Sequence, residues 1–194
     1  MPQRHCYIDT ETTGLDPTTH EVIEVAIVTE HEDGTVESWV SKIAPEHIET
    51  AHPKALEVNG YTPEAWKDAP PRAQVAPIIS RLLKGSVVVG HNVAFDIGFI
   101  AAMFEDLGIE HRWSHRDQLD TIVFVREHLF PTGLKSASLD NARRWLGWST
   151  EGAHAALKDA EDCRRLKATL ERSTSLNRLV WSLMGPRRMR LARR

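Results

Sequence analysis

Hydrophobic positions at the start of the chain give way within one strand length to a polar, acidic run. Cys6-Tyr-Ile leads directly into Asp9-Thr-Glu-Thr-Thr-Gly-Leu15. Residues 5–9 predict a first strand. Residues 21–30, rich in valine and isoleucine, predict a second, and Val36 to Ile43 alternates as a third. Asp33-Gly34 is a hairpin signal, so the three form an antiparallel meander. Residues 44–72 carry five prolines and the Val58-Asn59-Gly60 turn, a pattern of short helices and loops. Val75, Ile78, Ile79, Leu82 and Leu83 predict a helix over 72–84, and residues 86–90 are apolar on both faces, as in a buried strand.

Further helices are predicted over about 93–107, up to about His128 after a short strand closing at Leu119-Asp120-Thr121, over 138–146, and over 155–171. Residues 175–184 suit one short amphipathic helix that Gly185-Pro186 stops, with its Leu176/Leu179/Val180/Leu183 face packed on its own domain. Strands followed by helices around a mixed sheet give an α/β fold with helices on the sheet faces.

Against this pattern, several acids stand out. Residues i and i+2 of a strand point to one face, so Asp9 and Glu11 aim at one place if the strand holds through Glu11. Two such charges repel, and a divalent cation with a taste for carboxylate oxygen, magnesium or manganese, is the usual remedy. The same stretch also fits a strand end with surface acids and a polar turn. Asp96 sits among Val93, Phe99, Ile100 and Met103 of a helix, with no cation one turn away. Stabilisation by the helix N-terminus is the competing account. Asp159 lies beside Ala156 and Cys163 on the apolar side of its helix, again with no cation at i±3 or i±4. His154 precedes it by five residues, near the helix start, where a histidine beside a buried acid suits a proton acceptor. Four acids without local partners, in three separated segments, suggest a shared two-metal site of the kind used for in-line displacement at phosphorus.

Composition narrows the setting. At 194 residues, with 41% apolar and 26% charged residues, the chain suits one soluble domain. No apolar run approaches a membrane span and the N-terminus has no secretory pattern, so a cytoplasmic location without membrane contact is expected. Cys6 and Cys163 lie in apolar patterns and are expected to be buried free thiols. Five arginines fall in the last eight residues. The other 186 residues hold 19 basic and 27 acidic side chains, a net charge of −8. A globally basic coat for nucleic acid is absent, and contact with nucleic acid is confined to a metal-filled cleft or the arginine tail.

With these residues in place, the chain resembles the DEDDh family of 3′→5′ exonucleases, the DnaQ-like group of the ribonuclease H-like superfamily. Asp9 and Glu11 match its D-x-E motif, Gly90-His-Asn-Val-Ala-Phe-Asp96 its second motif, and His154-Ala-Ala-Leu-Lys-Asp159 its H-x-x-x-x-D motif. The match spans about residues 4–171. The resemblance implies a ribonuclease H-like mixed five-stranded sheet in an exonuclease domain over 1–172, with 173–194 as a C-terminal short helix and Arg-rich tail. It implies two divalent ions held by Asp9, Glu11, Asp96 and Asp159, with His154 taking the proton from the attacking water. Thr10, Thr12, Leu15, Asn59, Gly60, Asn92 and Phe95 resemble the family's grip on the terminal nucleotides. Activity should then need magnesium or manganese and rise toward mildly alkaline pH.

The expected substrate is a DNA or RNA 3′ end, with single-stranded or frayed DNA favoured and RNA trimming of the ribonuclease T or oligoribonuclease type as the alternative. Residues 173–194 are where a DNA polymerase partner would bind in a proofreading role, and dimeric relatives leave a homodimer open. Two other classes compete. A non-catalytic nucleic-acid-binding module would be expected to have lost an acid, and all are present. A phosphatase with an aspartate nucleophile needs an Asp two residues further on, where Glu11 stands.

Overall fold

The computed structural model describes residues 3–111, 113–153 and 155–192. The element order is β1 (His5–Thr12), β2 (Val22–Glu30), β3 (Val36–Lys42), α1 (Pro53–Asn59), α2 (Pro63–Trp66), α3 (Arg72–Leu83) and β4 (Val87–Gly90). Then come α4 (Val93–Asp106), β5 (Gln118–Asp120), α5 (Thr121–His128), α6 (Leu139–Leu146), α7 (Ala156–Glu171) and α8 (Ser175–Leu191). The five strands form one mixed sheet in the order β3-β2-β1-β4-β5. β1 to β3 are antiparallel neighbours, while β4 and β5 run parallel to β1. The meander and the helices expected from apolar periodicity are therefore present. The first strand reaches three residues beyond the end predicted for it at residue 9.

That extension matters because β1 is central and is the one strand with an antiparallel neighbour on one side and a parallel neighbour on the other. Its pairing with β4 ends at Tyr7↔Val89. Asp9 and Glu11 thus project beyond the C-terminal end of β4, where α4 begins, the usual place for a ligand site in an α/β sheet. Alternation along β1 assigns its side chains to the two faces. Cys6 and Ile8 belong to the core beneath α3 and α4. Tyr7 belongs to the core beneath α5, α6 and α7. Asp9 and Glu11 share the Tyr7 face and look toward α7, whereas Thr10 looks toward α4. Both cysteines are free and buried.

The C-terminal helix departs from the sequence expectation in two ways. Gly185-Pro186 does not end it, since α8 runs through to Leu191 with Pro186 inside. Proline removes one helical hydrogen bond and crowds the preceding turn, but packing on α6 outweighs that loss. Gly185 lies so flat on the Trp145 indole that an added Cβ would come within 2.2 Å of the ring. Arg188 Nη1 donates to the Trp145 carbonyl oxygen at 3.0 Å. The buried side is Trp181, Gly185 and Met189, at i, i+4 and i+8. This leaves Leu176, Leu179, Val180 and Leu183 on the opposite side, exposed rather than packed on the domain. The large Trp181 ring sets the rotation of the helix, because it removes more apolar area from water than any one leucine. Gly185→Ala should overpack this contact and cost about 2 kcal/mol. A fall in melting temperature of about 4–8 °C is expected by calorimetry, and an unchanged value would mean that α8 does not dock on Trp145.

Candidate active site

Three elements bring the predicted acids within Coulombic reach of one another. Asp9 and Glu11 come from β1, Asp96 from the first turn of α4 and Asp159 from the first turn of α7. Burial pushes the Asp9 carboxyl well above the usual carboxylate range, and Asp96, Asp159 and Glu11 push it further. Glu11 is raised to about 8 by burial and by the carboxylates of Asp159, Glu24 and Asp96. Asp96 is raised to about 7 by burial, although hydrogen bonds oppose the shift. Electrostatically, this cluster is short of positive charge.

Neither Asp96 nor Asp159 is without a partner, as their helices alone suggested. The Thr10 N–H and hydroxyl both donate to Asp96 Oδ1, at 2.9 and 2.8 Å. The Thr10 hydroxyl is therefore committed to a site carboxylate. Asp159 Oδ1 accepts from Arg143 Nη2 at 2.6 Å. Arg143 is 1% exposed and belongs to α6, sixteen residues upstream of its partner. Its Nε donates to Asp162 Oδ2 at 2.7 Å and its Nη1 to Asp140 Oδ1 at 3.0 Å. Lys158 also contacts Asp162. Helical spacing within α7 could reveal the Lys158–Asp162 pair but not the Arg143 fork. A signal did exist: Arg143 lies at i+4 from Leu139 and i−3 from Leu146, within an apolar stripe. Glu24 is a second omission, directly across the ladder from Glu11.

The four carboxylates are hard oxygen donors, and their mutual repulsion is what a divalent cation relieves, so the donor chemistry fits magnesium or manganese. Among the described residues, no three acidic, histidine or cysteine side chains stand in a ready-made metal-binding arrangement. His154 lies outside the described residues.

Beside Glu11 opens a cleft of about 440 Å³ that is lined by Thr10, Thr12, Leu15, Asn59 and Phe95. Leu15 stands 83% exposed at its edge. Asn59 Nδ2 donates to the Thr12 carbonyl oxygen at 3.0 Å, which ties the end of α1 to the end of β1. Gly60 and Asn92 do not line the cleft. Gly60 is the left-handed cap of α1. Asn92 caps α4 with φ +73° and donates its N–H to Asp120 Oδ1 at 3.0 Å. The cleft also takes in His20, His52 and Lys54, which the motifs had not singled out.

A family model described as Exonuclease matches residues 6–166. The chain belongs to the exonuclease family. Its fold is the ribonuclease H-like one expected from the motifs. It is 32% identical over 160 residues to a PolC-type DNA polymerase III of Streptococcus thermophilus, covering 81% of this chain and 10% of that protein. It is 29% identical over 162 residues to the DNA polymerase III subunit epsilon of Treponema pallidum, covering 84% of this chain and 74% of that protein. This exonuclease-family chain thus spans about a tenth of the length of the PolC-type relatives. Among solved structures, exonuclease I superposes with a TM-score of 0.77 at 21% identity, over 92% of this chain and 43% of that one. Escherichia coli exonuclease I in complex with a dT13 oligonucleotide gives a TM-score of 0.75 at 21% identity, over 92% of this chain and 42% of that one.

The raised carboxyls predict how stability depends on pH. The folded protein keeps a proton on Glu11 up to about pH 8 and on Asp96 up to about pH 7, where the unfolded chain has already lost both. Stability contributed by these groups must fall as pH rises through that window. In EDTA, the melting temperature should therefore fall from pH 5 to pH 8.5, and Glu11→Gln should flatten the slope. Equal slopes in the two proteins would show that Glu11 titrates normally.

Proposed function

We propose that this chain is a 3′→5′ exonuclease domain that removes 3′-terminal nucleotides as 5′-monophosphates, with single-stranded or frayed DNA as its substrate. The observation that carries the proposal is the convergence of Asp9, Glu11, Asp96 and Asp159 from three elements at the end of β1. Asp9 and Glu11 would hold the metal pair from the strand. Asp96 would assist from α4, with its orientation fixed by Thr10, and Asp159 from α7, where Arg143 already holds it. Two divalent ions, magnesium or manganese, would supply Lewis-acid stabilisation of charge at phosphorus and at the leaving 3′ oxygen. His154 takes the proton from the attacking water. Leu15 and Phe95 offer apolar surface to the terminal base and sugar, and Thr12 and Asn59 shape the wall between them. Residues 1–172 carry this chemistry.

DNA as substrate is supported by the two DNA polymerase III relatives. A proofreading role, with a polymerase bound through residues 173–194, is the second reading, and the exposed leucines of α8 favour it. No helix among the described residues is long and apolar enough to cross a membrane, and two free buried thiols are in keeping with a reducing cytoplasm. A digestion panel tests the reading, using magnesium with labelled single-stranded DNA, double-stranded DNA, mismatched primer ends, and short and structured RNA. Mononucleotides released from the 3′ end, fastest from single-stranded or mismatched DNA, are expected. Internal cuts, or no release, would refute the activity, and a preference for RNA would replace the substrate.

A further inference from the structure

Arg143 is the one cation placed directly on a carboxylate of the site among the described residues, and the three family motifs make no use of it. Its guanidinium is buried, and Nε, Nη1 and Nη2 each donate to a different carboxylate: Asp162, Asp140 and Asp159. A fully buried arginine is costly unless every side of its fork is engaged. Here the fork joins α6 to the first turn of α7, so the position of Asp159 depends on a residue outside the motif that contains it. The positive charge also bears on Asp9, whose other charged neighbours, Asp96, Asp159 and Glu11, are all negative.

We propose that Arg143 is an internal counter-ion of the carboxylate cluster, a positioning residue that holds Asp159 through Oδ1 and competes with divalent metal for it. The proposal rests on the metal reading above. Arg143 Nη2 sits on Asp159 Oδ1 at 2.6 Å, so a divalent cation at this carboxylate meets a positive charge already bound to it. Metal would therefore share the Asp159 carboxylate with the guanidinium or draw it away. Arg143 thus performs two opposed functions. It stabilises a fold that gathers four carboxylates, and it weakens the grip of those carboxylates on metal. A lysine in its place would keep the charge but lose the three-way fork.

The test compares Arg143→Gln and Arg143→Lys with the wild type by calorimetric Mn2+ titration and by thermal melting in EDTA. Arg143→Gln is expected to melt roughly 10 °C lower in EDTA and yet to bind Mn2+ about tenfold or more tighter, since a unit charge beside the metal has gone. Arg143→Lys should stay within about threefold of wild-type affinity. A purely structural arginine predicts lower melting with unchanged or weaker Mn2+ binding, and that outcome overturns the proposal. Should the glutamine variant fail to fold, wild-type protein with 15N-labelled arginine decides the matter. The Arg143 Nε–H resonance should move with Mg2+ at the half-saturation found by calorimetry, and an unmoved resonance overturns the proposal. Wild-type protein that binds no Mn2+, or binds it equally well as Asp9→Asn, overturns the metal reading itself. Wild-type binding with no gain in Arg143→Gln overturns only the role of Arg143.

Discussion

Asp9→Asn should abolish release of 3′ mononucleotides, by about a thousandfold or more, while raising the melting temperature of the protein in EDTA. Asparagine has nearly the shape of aspartate, so Tyr7, Ala26 and the β1–β2 ladder around it are undisturbed. What goes is the charge. A carboxylate that helps hold divalent ions over the reacting phosphorus contributes several kcal/mol to the transition state, and about 4 kcal/mol is a thousandfold in rate. The same charge destabilises the fold, because Asp9 is half-buried and faces the charges of Asp96, Asp159 and Glu11. Lost activity with gained stability is the signature of a residue kept for chemistry rather than for folding. Single-turnover digestion and calorimetry on one preparation measure both. Variant protein that digests DNA at the wild-type rate would place the active site elsewhere. Variant protein that is inactive and also melts lower would identify Asp9 as structural.

The second large effect is expected at His154. His154→Ala should slow the chemical step by about 10²–10⁴, the usual contribution of a positioned general base. Mn2+ affinity should be nearly unchanged, because the four carboxylates remain. The pH profile separates this role from a ligand role. Wild-type turnover should rise toward mildly alkaline pH as the imidazole loses its proton, and the variant should lose that limb. Near-wild-type turnover with intact Mn2+ binding would remove the histidine from the mechanism. A large loss of Mn2+ affinity would make it a ligand instead.

Much of this was legible in the sequence because its signals are local. Strand alternation put Asp9 and Glu11 on one face, provided the strand held through Glu11, and β1 extends to Thr12. Apolar periodicity located α3, α4, α6 and α7 to within two residues. The motif spacing was enough to assign the family that the match over residues 6–166 establishes. Local signals misled where tertiary packing decides. Gly185-Pro186 is a sound stop signal for an isolated helix, but a Trp145 face fitted to Gly185 carries α8 past it. The leucine stripe of α8 is amphipathic enough to suggest burial, yet Trp181 claims the buried side.

What the sequence by itself determined is the order of elements, the strand that carries two acids, and the anomaly of acids on apolar helix faces. A periodicity of 2 or 3.6 residues reports which face a side chain occupies and nothing about what meets that face. Only the tertiary structure decided the partners. Thr10 and Asp96 are 86 residues apart, and Arg143 and Asp159 are 16 apart on different helices. These contacts arise from how α4 and α7 pack on β1 and from the Arg143 fork that ties α6 to α7. They turn four acids without local partners into a cluster in which two are held by other side chains, while Asp9 and Glu11 are raised by burial and by their acidic neighbours.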